Sequence, residues 1–358
     1  MGQRSGQWST SLRAALALLS AGALTAGCTV IGGDEEQETG PVTVTLVTHQ
    51  SWAVPQEVVD AFEQRAGVRI EVRKEGDAGE LTNKLVLTKD NPIADVAFGI
   101  DSTFASRALS EGVFQPYTSP EADRGPQRYA VDPQQRLSAV DVGDVCVNID
   151  TEWFAENDVP EPTSLEDLTE PEYEDLFVVP SPATSSPGLA FLFATVSEFG
   201  EDGGWREYWS ELKDNGVKVV SGWTEAYTQD FSGSSGEGDR PIVLSYASSP
   251  AAEIGPDGTP RTKALLDTCY RQVEYAGVLE GTQHPDEAGK VIDFLLSHEF
   301  QSTVAENMFV YPTREGVALP EGWAQAAPLP REPISLSGEQ VQANREQWIK
   351  QWRGLLEG

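Results

Sequence analysis

The sequence predicts an α/β protein of two lobes with a ligand cleft between them. Three observations carry this. Short β-branched runs alternate with amphipathic helical ones along the chain. About 318 residues follow Gly40, more than one core usually fills. Aromatic and hydroxyl residues cluster where apolar runs end and helices begin, as they do in the wall of a small-ligand pocket.

Arg4 and Arg13 accompany an apolar run, residues 12–26, too short to span a bilayer as a mature helix. It closes in Leu24-Thr25-Ala26-Gly27-Cys28. Residues 1–27 read as a lipoprotein signal peptide with Cys28 lipidated, an ordinary signal peptide with a chance cysteine being the alternative. The polar stretch 28–40 reads as a flexible tether. The chain has 25 basic and 57 acidic residues; loss of Arg4 and Arg13 with the signal leaves 23 basic residues and a formal charge of −34. That charge excludes nucleic acid and anionic lipid as partners, so membrane attachment is through the lipid anchor alone. Cys146 and Cys269 both lie in strand-like runs. Export favours a disulfide between them, and two buried free thiols are the alternative.

Val42–Thr48 alternates and is β-branched, a strand. Residues 56–65 place Val58, Val59 and Phe62 on one side of a helix. A second strand at 68–73, a helix at 81–87 and a buried strand at 94–98 follow, after which Asp101 caps a helix through Ala108. This makes a lobe with a largely parallel sheet. Ligands collect beyond the carboxyl ends of such strands, which here carry His49, Asp77 and Asp101. A strand at 140–149 opens the second lobe, with a capped helix at 163–168 and a strand at Phe177–Pro180. Ser186 as N-cap and Pro187 in the first turn start an apolar helix. The strand Lys218–Val220 enters Gly222-Trp223, and Thr224 caps the next helix. A loop at 232–239 leads to the strand Ile242–Tyr246. Residues 271–276 return the chain to the first lobe, and 286–296 form a helix. Ser337 and Gln340 make a capping box for a last helix that buries Trp348 and Trp352. The expected boundaries are 41–140 with 272–315 for the first lobe, 141–271 for the second, and 316–358 for a C-terminal helical segment packing on both.

No catalytic constellation is present. His49, His284 and His298 fall at no metal-ligand spacing, and there is neither Cys-x-x-Cys nor Gly-x-Ser-x-Gly. No enzyme activity, metal or cofactor is expected. A binding constellation is present. Ser185 and Ser186 offer hydroxyls at a helix start whose free N–H groups suit an anion, and Ser248, Ser249 and Pro250 repeat the pattern. Trp223 and Tyr246 offer flat faces for stacking or for a cation. Asp77 offers a carboxylate for a positive charge or an amine.

Thr184-Ser185-Ser186-Pro187-Gly188-Leu189, Gly222-Trp223-Thr224-Glu225-Ala226-Tyr227 and Leu244-Ser245-Tyr246-Ala247-Ser248-Ser249-Pro250 resemble the thiamine-binding periplasmic proteins of bacterial ABC importers. Met308-Phe309-Val310-Tyr311-Pro312 and Arg345-Glu346-Gln347-Trp348-Ile349 extend the similarity to the C-terminus. The resemblance implies a type II periplasmic-binding fold that closes on thiamine or its phosphate esters and passes them to a permease and its ATPase, as a monomer. Carried over by position, the ligand contacts are Asp77, Ala78, Ser185, Ser186, Trp223, Tyr246, Ala247, Ser248, Ser249 and Pro250, with His49 and Asp101 as further candidates. His49 and Gln50 stand where the family can place tyrosine and aspartate, and Ala78 stands for a glycine. The alternatives are a ferric-ion or polyamine binder on the same fold, and an exported thiamine-cleaving or hydrolytic enzyme.

Overall fold

The computed structural model describes residues 40–233 and 238–356. The expected signal peptide, Cys28, nearly all of the tether and part of the 232–239 loop lie outside the described residues. In the first half of the molecule, β1 (Val42–Thr48) pairs in parallel with β2 (Val68–Lys74) and β3 (Val96–Asp101). The connecting helices are α1 (Gln56–Ala66) and α2 (Ala78–Leu87), and α3 (Ala105–Ser110) follows β3. Pro55 precedes α1 and Gly67, at φ 66°, ends it.

The long strand β4 (Ser138–Asp150) then runs through the molecule, buried from Ala139 onward. After α4 (Thr151–Asn157) come β5 (Phe177–Pro180), α5 (Ser186–Phe199), α6 (Gly204–Asp214), β6 (Lys218–Val220), α7 (Trp223–Glu225), β7 (Ile242–Tyr246) and β8 (Thr262–Ala264). The chain returns along β9 (Tyr270–Val278) to α8 (Pro285–Leu296), α9 (His298–Met308), β10 (Tyr311–Pro312), α10 (Trp323–Ala326) and α11 (Gly338–Leu356). The strand order is β2-β1-β3-β9-β4-β7-β5-β6, with β8 and β10 on β4. Three antiparallel pairings, β3–β9, β9–β4 and β4–β7, therefore join two parallel-paired flanks; the first flank, β2-β1-β3, is parallel as expected, and the sheet as a whole is mixed.

α5 is apolar on nearly every side and buried from Ser186 to Val196. Phe191 meets Trp209 of α6 edge-on at 5.5 Å, and Trp209 meets Trp352 of α11 at the same distance. Such pairs contribute about 0.5–1.5 kcal/mol each beyond the area they bury. Ser337 and Gln340 form the expected capping box, each side chain taking the other's backbone N–H at 3.2 Å. At its middle, α11 lays the Arg345 guanidinium over the Phe104 ring of the first half, 5.5 Å away. Cys146 of β4 and Cys269, just before β9, form a disulfide with Cα atoms 4.2 Å apart, in a dry cluster with Ala247.

Three local expectations are corrected. The helix expected at 163–168 is a short 3-10 turn, Glu166–Thr169. Asp167 accepts from the Thr163 and Ser164 N–H groups, so the segment is capped as expected, but a single turn follows the cap. Asp101 does not cap a helix running through Ala108. It accepts from the N–H groups of Thr103 and Phe104, one turn ahead of α3. Thr224 lies inside α7, whose N-cap is Gly222.

Candidate ligand-binding site

A cavity of about 370 Å³ opens between the two halves at the carboxyl ends of β1, β5 and β7. His49, Asp77, Ala78, Glu274, Met308 and Phe309 line it from the first half and from β9; Ser186, Trp223, Tyr227, Tyr246, Ser249 and Glu253 line it from the second.

Asp77 spans the cleft. It is the N-cap of α2 and accepts the Ala78 N–H at 2.7 Å. The same carboxylate accepts from the Ser185 hydroxyl at 2.9 Å, the Trp223 N–H at 3.1 Å and the Ser186 N–H at 3.3 Å. Gly79 permits this approach, because a Cβ there would lie 2.6 Å from the Thr184 carbonyl oxygen. The Ser186 N–H at the start of α5, expected to help hold a ligand anion, is thus met by a carboxylate of the protein itself. The N-cap of α5 is Ser185, not Ser186; its hydroxyl is turned to Asp77 and caps nothing. The Ser186 hydroxyl is buried, on a residue that lines the cavity, and has no partner among the described residues.

Trp223 stacks on Tyr227, with centroids 5.1 Å apart and planes 14° apart, and tilts toward Tyr246 at 6.0 Å. Its indole N–H donates to Ser245 at 2.9 Å, which fixes the ring. A π-helical turn, Ala226–Asp230, follows α7 and carries Tyr227 beneath the indole. Burial, with the carboxylates of Glu274, Asp77 and Asp101 nearby, holds the Tyr246 phenol well above its ordinary pKa, so it stays neutral.

Of the four expected contacts Ala247, Ser248, Ser249 and Pro250, the structure brings Ser249 alone to the cavity wall. Ala247 packs on the disulfide, the Ser248 hydroxyl donates to the Phe309 carbonyl, and Pro250 is buried. The Ser249 hydroxyl bonds Ser245 at 2.7 Å and accepts the Tyr246 N–H. The helix start expected there is one 3-10 turn, Ser249–Ala252. Asp101 is fully buried and does not line the cavity.

His49 is buried with its Nε2 3.3 Å from Glu274. Gly99, at φ 93°, leaves the space its ring fills. Burial alone would lower the imidazole pKa, but the Glu274 carboxylate, with Asp77 and Asp101, outweighs it and the pKa is raised.

Sequence reasoning missed Glu274, Glu253, Tyr227 and Phe309. Glu274 carried a usable signal, a charge in the middle of the apolar run Val273-Glu274-Tyr275-Ala276. Phe309 carried less. It sits in the left-handed region at φ 55° and is 38% exposed, facing the cleft just past the end of α9.

Two curated relatives span nearly the whole chain. The thiamine-binding periplasmic protein of Brucella suis biovar 1 is 28% identical over 319 residues, 87% of this chain and 91% of that one. Its namesake in Escherichia coli K12 is 29% identical over 321 residues, 87% of this chain and 92% of that one. A solved structure, a periplasmic thiamin binding protein, superposes with a TM-score of 0.77 at 25% identity, covering 88% of this chain and 96% of its own. The fold is the two-lobed type II arrangement of periplasmic binding proteins. Residues 91–332 match the profile of the bacterial extracellular solute-binding proteins, and the chain, with its cleft between two α/β halves, belongs to that family.

Proposed function

We propose that the cleft captures thiamine, or its mono- or diphosphate, outside the cell and delivers it to an ABC permease and its ATPase. The observation that carries this is the fixed aromatic group Trp223, Tyr227 and Tyr246 in a cavity whose acidic lining is Asp77, Glu253 and Glu274. A flat, cationic, amine-bearing molecule complements both features. Cation–π attraction at a desolvated site reaches roughly 2 kcal/mol. In this reading Trp223 and Tyr246 stack on the thiazolium or aminopyrimidine, and the open Ser186 hydroxyl meets a polar end of the ligand. An ester phosphate reaching the start of α5 would displace Asp77 from the Ser186 N–H and the Ser185 hydroxyl.

The names of the relatives support the same ligand. Capture rather than cleavage is supported by Cys146 and Cys269, which are bonded to each other and line no part of the cavity. The reading needs no cofactor. It includes a monomer tethered to the outer face of the cytoplasmic membrane by a lipid on Cys28.

Trp223→Ala is expected to weaken thiamine binding more than tenfold, about 1.4 kcal/mol or more. Calorimetric titration of parent and variant with thiamine measures it. Affinity equal to the parent's would remove Trp223 from the site.

A further inference from the structure

Glu274 is the meeting point of an unusual row. On one side it lies directly opposite Asp101 across the β3–β9 ladder, and on the other opposite Asp141 across the β4–β9 ladder. Directly paired residues project from the same face of a sheet. Each ladder has an irregularity beside the pair, between Phe98 and Ile100 in one and between Ala139 and Asp141 in the other. Bulges of this kind re-aim side chains and recur beside functional sites. Three carboxyl groups on three neighbouring strands thus share one face, with the His49 imidazole 3.3 Å from the central one.

Asp101 and Asp141 are wholly buried. One Asp101 oxygen takes the donors of Thr103 and Phe104; the other has no partner among the described residues. Among the described residues neither oxygen of Asp141 meets a fixed N–H or hydroxyl donor, and its carboxyl lies within hydrogen-bonding reach of the Glu274 carboxyl. Three carboxylates cannot all ionise side by side without water, so the row holds protons at neutral pH. Burial pushes Asp101 up to about 7, and burial with the Glu274 charge raises Asp141 well above the carboxylate range. Of the three, Glu274 alone lines the cavity. The other ionisable groups facing the row are Asp77 and Tyr246 across the cavity, and Tyr270, Tyr275 and Arg345 behind Asp101. The Asp77 carboxylate is already committed to four donors.

We propose that Glu274, anchored by His49 and flanked by Asp101 and Asp141, is the counter-charge for a ring cation in the cleft, and that the cation's entry expels a proton from this row to solvent. The proposal rests on the thiamine reading and adds a specificity-determining residue to it. A positive charge beside Glu274 stabilises the ionised carboxyls and disfavours protonated His49. Both effects release protons, so affinity rises with pH, by up to about tenfold per pH unit for one proton released.

The test is calorimetric titration of the whole protein at about pH 7 in phosphate and in Tris, whose ionisation enthalpies differ. The probes are thiamine and a neutral isostere with thiophene in place of thiazolium. Thiamine should show a buffer-dependent enthalpy corresponding to roughly one proton released, and an affinity that climbs between about pH 6 and 8; the isostere should show neither. Glu274→Gln should cost thiamine about tenfold or more and the isostere little. Asp141→Asn, which leaves the cavity wall intact, should lower the number of protons released. A buffer-independent enthalpy for thiamine, or an equal loss for both probes in Glu274→Gln, overturns the proposal. The buffer comparison needs no variant, so it decides even where a substitution fails to fold. Binding of neither probe by the parent protein is a different outcome: it overturns the thiamine reading and this proposal with it.

Discussion

Asp77→Ala is expected to weaken ligand binding by about 2–3 kcal/mol, roughly 30- to 150-fold in Kd. The carboxylate is the common acceptor for α2 on one side of the cleft and for Ser185, Ser186 and Trp223 on the other. Its removal leaves three N–H groups and a hydroxyl without that acceptor at the junction of the halves. Hydrogen bonds to a charged group are worth about 1.5–3 kcal/mol, and each buried donor left unpaired costs about 1–3 kcal/mol. These losses fall on the closed arrangement, so the population able to hold a ligand shrinks and apparent affinity falls with it. Asp77→Asn keeps one acceptor oxygen and should lose less. Calorimetry on the two variants measures the difference, and small-angle scattering of Asp77→Ala without ligand should report a larger radius of gyration. Parental affinity in Asp77→Ala would show that the bridge does not govern closure.

Replacing both Cys146 and Cys269 by alanine is expected to destabilise the protein by about 4 kcal/mol. The bond closes a loop of 123 residues, and in the chain-entropy account the constraint on the unfolded chain grows with loop length. That loop contains the second half of the sheet. Cys146 sits on β4 and Cys269 immediately precedes β9, the strands that join the halves, so the bond also pins β4 to the start of β9. For a folded unit of this size the loss lowers Tm by roughly 6 °C. Thermal unfolding of the parent, the double variant and the reduced parent measures it. A double variant that melts with the parent would show the bridge to be thermodynamically idle.

Much of the fold was legible because it is written locally. Phe177–Pro180, Lys218–Val220 and Ile242–Tyr246 are strands at the residues where alternation or a short apolar run placed them. The Ser337–Gln340 box marked its helix because both partners lie within one turn. Errors arose at the ends of elements. The capped segment expected at 163–168 stops after one 3-10 turn, and Asp77, 108 positions away, drew the Ser185 hydroxyl away from capping.

The aromatic wall was legible because Trp223 and Tyr246 each stand at a strand end beside glycine or serine. The acidic floor was not. Glu274 meets Asp101 and Asp141 only through the registers of two ladders that join residues more than a hundred positions apart. The irregularities that set those registers leave no mark in a single sequence. Phe309 was hidden for a similar reason, since its place at the cavity depends on how α9 ends against the rest of the fold.

The central claim is that the cleft takes a flat, cationic, thiamine-like ligand. Calorimetric titration of the protein with thiamine, thiamine monophosphate and thiamine diphosphate, beside ferric ion and spermidine, tests it most directly. The account predicts saturable one-to-one binding within the thiamine series and none of ferric ion or the polyamine. Saturable binding of iron or spermidine, with no heat from any of the three thiamine forms, would contradict it.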